Sequence, residues 1–408
     1  MSAVTTSAST EATDTYAKKA LIGSAIGYGM DGFDLLILGF MLSAIAAELH
    51  LTPAEAGSIV TWTLLGAVAG GIIFGILSDY YGRVRVLTWT ILVFAIFTGA
   101  CALAQGYWDL LAYRTIAGLG LGGEFGIGMT LAAEAWPAAK RARVSSYVGL
   151  GWQGGVLLAA FVTPVLLPII GWRGMFAVGI VPAIMAFIVR LYVGEPPIFL
   201  AHEAKARSGN PLKLLVKDSS ATKISVGMFI LCSVQNFGYY GVMIWLPSYL
   251  SSRFGYTLTR SALWTSVTII GMGIGIWIFG YLADKFGRRP ILFAYQAGAA
   301  ISVIVYSQLT GPTQLLIGGA IMGMFVNGML GGYGALMSEL YPTEARATAQ
   351  NVLFNLGRAV GGFGPLVVGA LAARYSFEVA IGLLSVIYVI DIVATAFLIP
   401  ERKGAPLT

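Results

Sequence analysis

Charge is scarce in this chain. Of 408 residues, 11% are Asp, Glu, Lys or Arg and 57% are hydrophobic, whereas a soluble domain carries roughly 25% charged residues. A soluble fold of this size has nowhere to hide so much apolar surface, but a bilayer accepts it on the outside of the protein. Cysteine and histidine are nearly absent, at two residues each. Cys101 and Cys232 lie far apart inside apolar runs. They offer neither a disulfide framework nor metal-ligand spacing, and both read as small buried hydrophobes. His50 and His202 fall in loops, there is no HExxH pattern and no aspartate-rich motif, and no P-loop lysine motif is present. These absences argue against an intramembrane metalloenzyme and against ATP-driven pumping by this chain. No cofactor and no metal are expected. Residues 1–18 are polar, without the apolar segment of a signal peptide, and read as a disordered cytosolic tail.

Twelve runs are long and apolar enough to span the hydrocarbon core as helices. They lie near 20–45, 55–78, 86–105, 109–133, 144–168, 173–193, 222–250, 261–282, 290–309, 313–337, 350–373 and 378–399. They are too long for barrel strands, and helices and closed barrels are the structures that satisfy the backbone in lipid. The expected fold is therefore all-α and integral to the membrane. The formal charge of +6 would suggest nucleic acid in a soluble protein, but its distribution points elsewhere. With the N-terminus inside, 19 of the 25 Lys and Arg fall in cytoplasmic segments, and four, Arg173, Arg253, Arg260 and Arg374, fall outside. This bias places both termini in the cytoplasm of a cell (inner) membrane, with no nucleic-acid partner.

The longest loop, 194–221, carries Glu195-Pro196-Pro197 and several basic residues, and separates six spans from six. It reads as a cytoplasmic linker between a first bundle, 19–193, and a second, 222–400, followed by a tail at 401–408. Self-similarity supports this division. Gly75-Ile-Leu-Ser-Asp79-Tyr-Tyr-Gly82-Arg83 returns 205 residues later as Gly280-Tyr-Leu-Ala-Asp284-Lys-Phe-Gly287-Arg288, and Glu134, Pro137 and Arg141 return at the same offset as Glu339, Pro342 and Arg346. The chain reads as a tandem duplication of a six-helix unit.

The repeated G-x-L-x-D-x-x-G-R loop resembles the signature loop of the major facilitator superfamily, and Arg114-Thr-Ile-Ala-Gly118-Leu-Gly120 resembles its fourth-helix motif. The resemblance spans residues 18–400. It implies two six-helix bundles around a central cavity that opens alternately to each side. It also implies that Arg114 bears on proton transfer or gating. Asp31-Gly32-Phe33-Asp34 resembles the metabolite–proton symporters, notably the aromatic acid–proton symporter family. Gly-Glu-Phe-Gly at 123–126 and Ala-Glu-Ala-Trp-Pro at 133–137 are most similar to its muconate-carrying members. The resemblance implies proton-coupled import of an organic carboxylate, cis,cis-muconate or a related aromatic acid or dicarboxylate. Sialate and lactate transporters share several of these motifs, so a monocarboxylate is the alternative.

Ionisable groups at membrane depth are costly and point to function. Asp31 and Asp34 share one face of the first span, about 60° apart, and so close a pair resists double ionisation. With Glu124 in the fourth span they form the proton-coupling set, and Arg114 is expected to modulate them. The competing structural reading pairs the aspartates with Arg114 or Arg358. Arg358 offers a planar fork to a carboxylate and is the leading substrate ligand. Asn355 precedes it, and Gln153 beside Trp152 occupies the matching position of the first half. Asn236, matching Asp31, with Tyr239 and Tyr240, lines the expected cavity. Asp79, Arg83, Asp284 and Arg288 form the inner gate, their aspartates placed for a helix N-terminus. Asp391, in the peripheral twelfth span, reads as structural. Three carboxylates suit more than one proton per substrate, hence a dicarboxylate or an aromatic acid carried with at least two protons. The fifth span lacks the Gly-Pro pair of drug–proton antiporters. A membrane enzyme or a transporter-like sensor remains the reading from another class. The partners expected are a small organic anion, protons and the bilayer, with the chain a monomer.

Overall fold

A computed structural model describes residues 2–191, 193–201, 210–256 and 258–407. His202, Lys205 and Arg207 of the linker lie outside the described residues. Among those described, regular structure is entirely helical.

In the first half, α1 covers Ser2–Glu48, α2 Pro53–Tyr81, α3 Arg83–Cys101 and α4 Tyr107–Ala135; α5, Arg141–Leu191, holds two spans that break at Gly171, where φ is 65°. In the linker, α6 is the short Pro211–Leu215. The second half begins with α7, Ser219–Met243, and α8, Leu246–Phe254, followed by α9, Leu258–Phe286, and α10, Arg288–Gln308. Its last three spans are each interrupted once: α11 and α12 are Pro312–Gly328 and Leu330–Leu340, α13 and α14 are Arg346–Gly361 and Gly364–Arg374, and α15 and α16 are Phe377–Leu383 and Ser385–Leu398. Ten stretches are long and apolar enough to cross a membrane; one of them, Ala138–Val181, contains two spans, and α7 adds a further 25-residue helix. The twelve expected spans are thereby accounted for. One expectation needs correcting. Residues 2–18, read as a disordered tail, continue α1 as helix, because the segment contains no Pro or Gly to stop it.

Within the first half, α1 packs along α5, and α2 and α3 pack along α4. Close approach is built in by sequence: a Cβ at Gly155 on α5 would lie 1.8 Å from the Gly29 carbonyl of α1, so the two backbones touch where any side chain would separate them. The two bundles meet along α2 and α4 against α13, and along α5 against α9 and α12. Outward-facing Leu, Ile, Val, Phe and Trp cover the perimeter, Ile96, Leu103, Ile169 and Phe397 among them, as lipid-facing surface requires.

Candidate functional site

Between the bundles lies a small cavity of about 10 Å³, room for about one water. The first half contributes Tyr28 from α1 and Trp152 from α5. The second contributes Gln235, Asn236, Tyr239 and Tyr240 from α7, Asn327 and Leu330 from the interrupted tenth span, and Phe354 and Arg358 from α13. Five aromatic rings, three amides and one guanidinium thus face a common space. Arg358 is 3% exposed, its Cζ lies 5.7 Å from the centre of the Trp152 ring and 5.2 Å from that of Phe354, and its Nε has no hydrogen-bond partner. A guanidinium held by ring faces keeps its charge, and here its Nε donor remains to be matched. Tyr28 and Phe125 continue the aromatic wall, and Phe125 stacks on Phe354 across the bundle interface at 3.6 Å. The Trp152 indole N–H donates to the Tyr239 hydroxyl at 3.4 Å.

The two aspartates of α1 find different surroundings. Asp34 accepts two bonds from Arg114 on α4, at 3.0 and 2.6 Å, with both side chains buried. Asp31, equally buried, lies within electrostatic reach of Arg358 and Tyr28. Glu124 accepts a hydrogen bond from the Thr90 hydroxyl of α3 at 2.8 Å and is not among the cavity's lining residues. Gln153 is buried behind the cavity wall with neither amide atom bonded. Asn355, expected at the substrate, is instead an interface residue. Its amide donates to the Gly122 carbonyl of α4 at 3.0 Å and to the Asn351 carbonyl at 2.9 Å, because the Asn351–Asn355 row of α13 faces the glycine rungs of α4. Asp391 accepts from the Gln296 amide at 3.0 Å inside the second bundle.

The repeated loops join the bundles at one end. Asp79 accepts from the backbone N–H groups of Ala347 and Thr348, at 3.3 and 2.7 Å, at the start of α13. Asp284 accepts from Ala142 and Arg143, at 3.0 and 3.1 Å, at the start of α5. Each carboxylate thus caps a helix of the opposite bundle, where the helix dipole favours it. Arg83 binds Glu134 through two bonds of 3.1 Å, and Glu134 also takes Arg346 of the other bundle at 2.5 Å. In the second copy Arg288 binds Glu339 at 3.1 and 2.8 Å, and Glu339 takes Arg141 at 3.0 Å. Gly82 and Gly287 precede the two arginines at φ 109° and 107°, a conformation that glycine adopts without strain. It lets Glu195 and Glu401 cap the N–H groups of α3 and α10.

The profile of the Major Facilitator Superfamily matches residues 24–279 and 254–408. The chain belongs to that superfamily. It is 66% identical, over 98% of its own length and all of the other's, to a Haemophilus influenzae protein provisionally assigned as a metabolite transport protein. It is 31% identical to the cis,cis-muconate transport protein of Acinetobacter baylyi, over 95% of this chain and 96% of that one. Among solved structures, the proton:xylose symporter XylE superposes with a TM-score of 0.82 at 19% identity, covering 97% of this chain and 98% of that one, which establishes the shared fold. The protein is a multi-pass membrane transporter of the superfamily and not an enzyme.

Four lining residues of this superfamily cavity escaped the sequence reading: Tyr28, Asn327, Leu330 and Phe354. Tyr28 precedes Asp31 by one helical turn and Phe354 precedes Arg358 by one turn, so each shares a face with a residue already singled out. Asn327 is an amide inside an apolar run, and the reasoning that picked out the buried charges also applies to it.

Proposed function

We propose that the chain imports an organic carboxylate together with protons by alternating access, with muconate and aromatic acids as the candidate substrates. The observation that carries this reading is Arg358. It is a buried guanidinium with an unmatched donor in an aromatic cavity between the bundles, and it suits a planar carboxylate. Asp31 supplies the coupling. When ionised, it shares the field of Arg358 and leaves the cavity close to neutral. When protonated, it leaves the guanidinium's charge available to an entering anion, so proton and anion bind cooperatively. Of the three carboxylates expected to carry protons, Asp34 is already matched by Arg114 and Glu124 is bonded to Thr90. The coupling reading therefore centres on Asp31, the carboxylate that shares the field of the cavity's Arg358. The relation to the muconate transport protein supports the substrate class. Membrane orientation follows from the lysine and arginine bias, with both termini cytoplasmic.

The test uses purified protein in liposomes loaded with muconate or benzoate. An imposed proton gradient, acid outside, should drive accumulation of the labelled acid, and sodium at fixed pH should not. In Asp31→Asn, accumulation should be lost while exchange of internal for external substrate persists. Sodium-driven uptake without a proton gradient would overturn the reading.

A further inference from the structure

Arg358 recognises one end of a ligand. The same cavity also presents an amide pair, contributed like Arg358 by the second bundle. Gln235 of α7 is 3% exposed, and Asn327, in the last turn of α11 where the tenth span is interrupted, is 1% exposed. The Gln235 side-chain N–H donates to the Asn327 side-chain oxygen at 2.5 Å. That bond leaves Gln235 Oε1 and Asn327 Nδ2 without protein partners, although both residues line the cavity. The balance does not depend on which way the two amides are turned. If both are rotated, Asn327 donates to Gln235, and one acceptor and one donor again remain. Leaving buried polar atoms unmatched is costly, and both residues line the cavity, which favours a polar subsite over packing.

We infer that Gln235 and Asn327 form a second recognition pole, which takes a neutral group that donates and accepts hydrogen bonds at once. A hydroxyl, a carboxamide or an undissociated carboxyl fits. An ionised carboxylate does not, since it only accepts and would set its charge against the free amide oxygen. Resting on the carboxylate reading above, this selects a monoanion with one neutral polar group over a dianion. A dicarboxylate such as muconate would enter with its far carboxyl protonated.

Four benzoates that differ only opposite the carboxylate test this, bearing hydrogen, hydroxyl, carboxamide or a second carboxylate, with the corresponding meta-substituted set to cover the span of the cavity. Their competition for exchange is measured on the purified full-length protein in liposomes at neutral pH. The hydroxyl or carboxamide compound of one set should compete on the order of tenfold better than benzoate, and the dicarboxylate should be the weakest. In the double variant Gln235→Leu/Asn327→Leu the ratio of hydroxybenzoate to benzoate affinity should fall to near one. The ratio is unaffected by how much protein folds. A dicarboxylate that competes as well as the hydroxy acid, or a ratio unchanged in the double variant, overturns the subsite. Failure of every benzoate and of muconate to exchange would instead overturn the carboxylate reading itself.

Discussion

The two ends of the molecule use the same residue types in opposite ways. At the end bearing the repeated loops, Arg83, Glu134 and Arg346 are fully buried and bonded across the bundle interface, and Arg288, Glu339 and Arg141 repeat the arrangement. At the other end Glu48 pairs with Arg173 and with the Trp172 indole inside the first bundle, and Arg253 pairs with Glu378 inside the second. All four of these side chains, at the end that the proposed orientation puts outside, are partly exposed. The outer pairs occupy positions related by the 205-residue repeat, Glu48 to Arg253 and Arg173 to Glu378, but with the charges exchanged. The inner network cannot tolerate that exchange. Each half supplies both acid and base to the other, so reversing the sign in one half would place like charges together. The outer pairs are self-contained, and each half can set its own sign. The difference shows which end is clasped in this structure: the end bearing the repeated loops is closed by cross-bundle bonds, and at the opposite end the Glu48–Arg173 and Arg253–Glu378 pairs each stay within one bundle.

Reversing one inner pair should therefore do the most damage. In Arg83→Glu/Glu134→Arg the new arginine faces Arg346 and the new glutamate lies beside Asp79. Removing one partner of a buried ion pair alone costs about 3–5 kcal/mol, so uptake should fall to background and the detergent melting temperature should drop. Near-normal uptake would break the comparison. Between the two ends, Arg358→Lys keeps the charge but loses the planar fork, and apparent affinity for a carboxylate should weaken on the order of tenfold; competition assays in exchange mode measure it. Reversing the outer pair, Glu48→Arg/Arg173→Glu, should leave the melting temperature close to that of wild type, because exposed pairs contribute little, and transport should persist. The smallest effect is on pH dependence. The Glu48 carboxyl is held below its usual range by the bond from Arg173 and then by the Trp172 N–H. A lowered carboxyl stabilises the fold above its unfolded value and loses that contribution as pH falls through the lowered one. Wild type and Glu48→Gln should thus differ slightly in melting temperature at neutral pH and converge below about pH 4.

Most of the fold was legible in the sequence. Apolar runs set the spans, the 205-residue repeat set the two halves, and the repeated Asp79 and Asp284 lie at helix starts of the opposite bundle, while the part of Glu134 and Glu339 in the same network was not legible. The cavity was only partly legible, because a linear pattern places residues on a helix face without saying which neighbour that face meets. Asp31 and Asp34 share a face, yet a rotation of about 60° is enough to send one toward Arg358 and the other onto Arg114. Asn355 and Arg358 are three residues apart, and the same geometry sends one to the glycines of α4 and the other into the cavity. That Asn327 meets Gln235 at the cavity is a property of the packed bundle.

The central claim is that protonation of Asp31 releases Arg358 for the anion. Substrate affinity measured in exchange mode as a function of pH tests it most directly. In wild type, affinity should rise as pH falls, approaching tenfold per pH unit where one proton is taken up with each anion. In Asp31→Asn, the carboxyl is permanently neutral, and affinity should be high and independent of pH. An Asp31→Asn protein that retains the wild-type pH dependence would contradict the account.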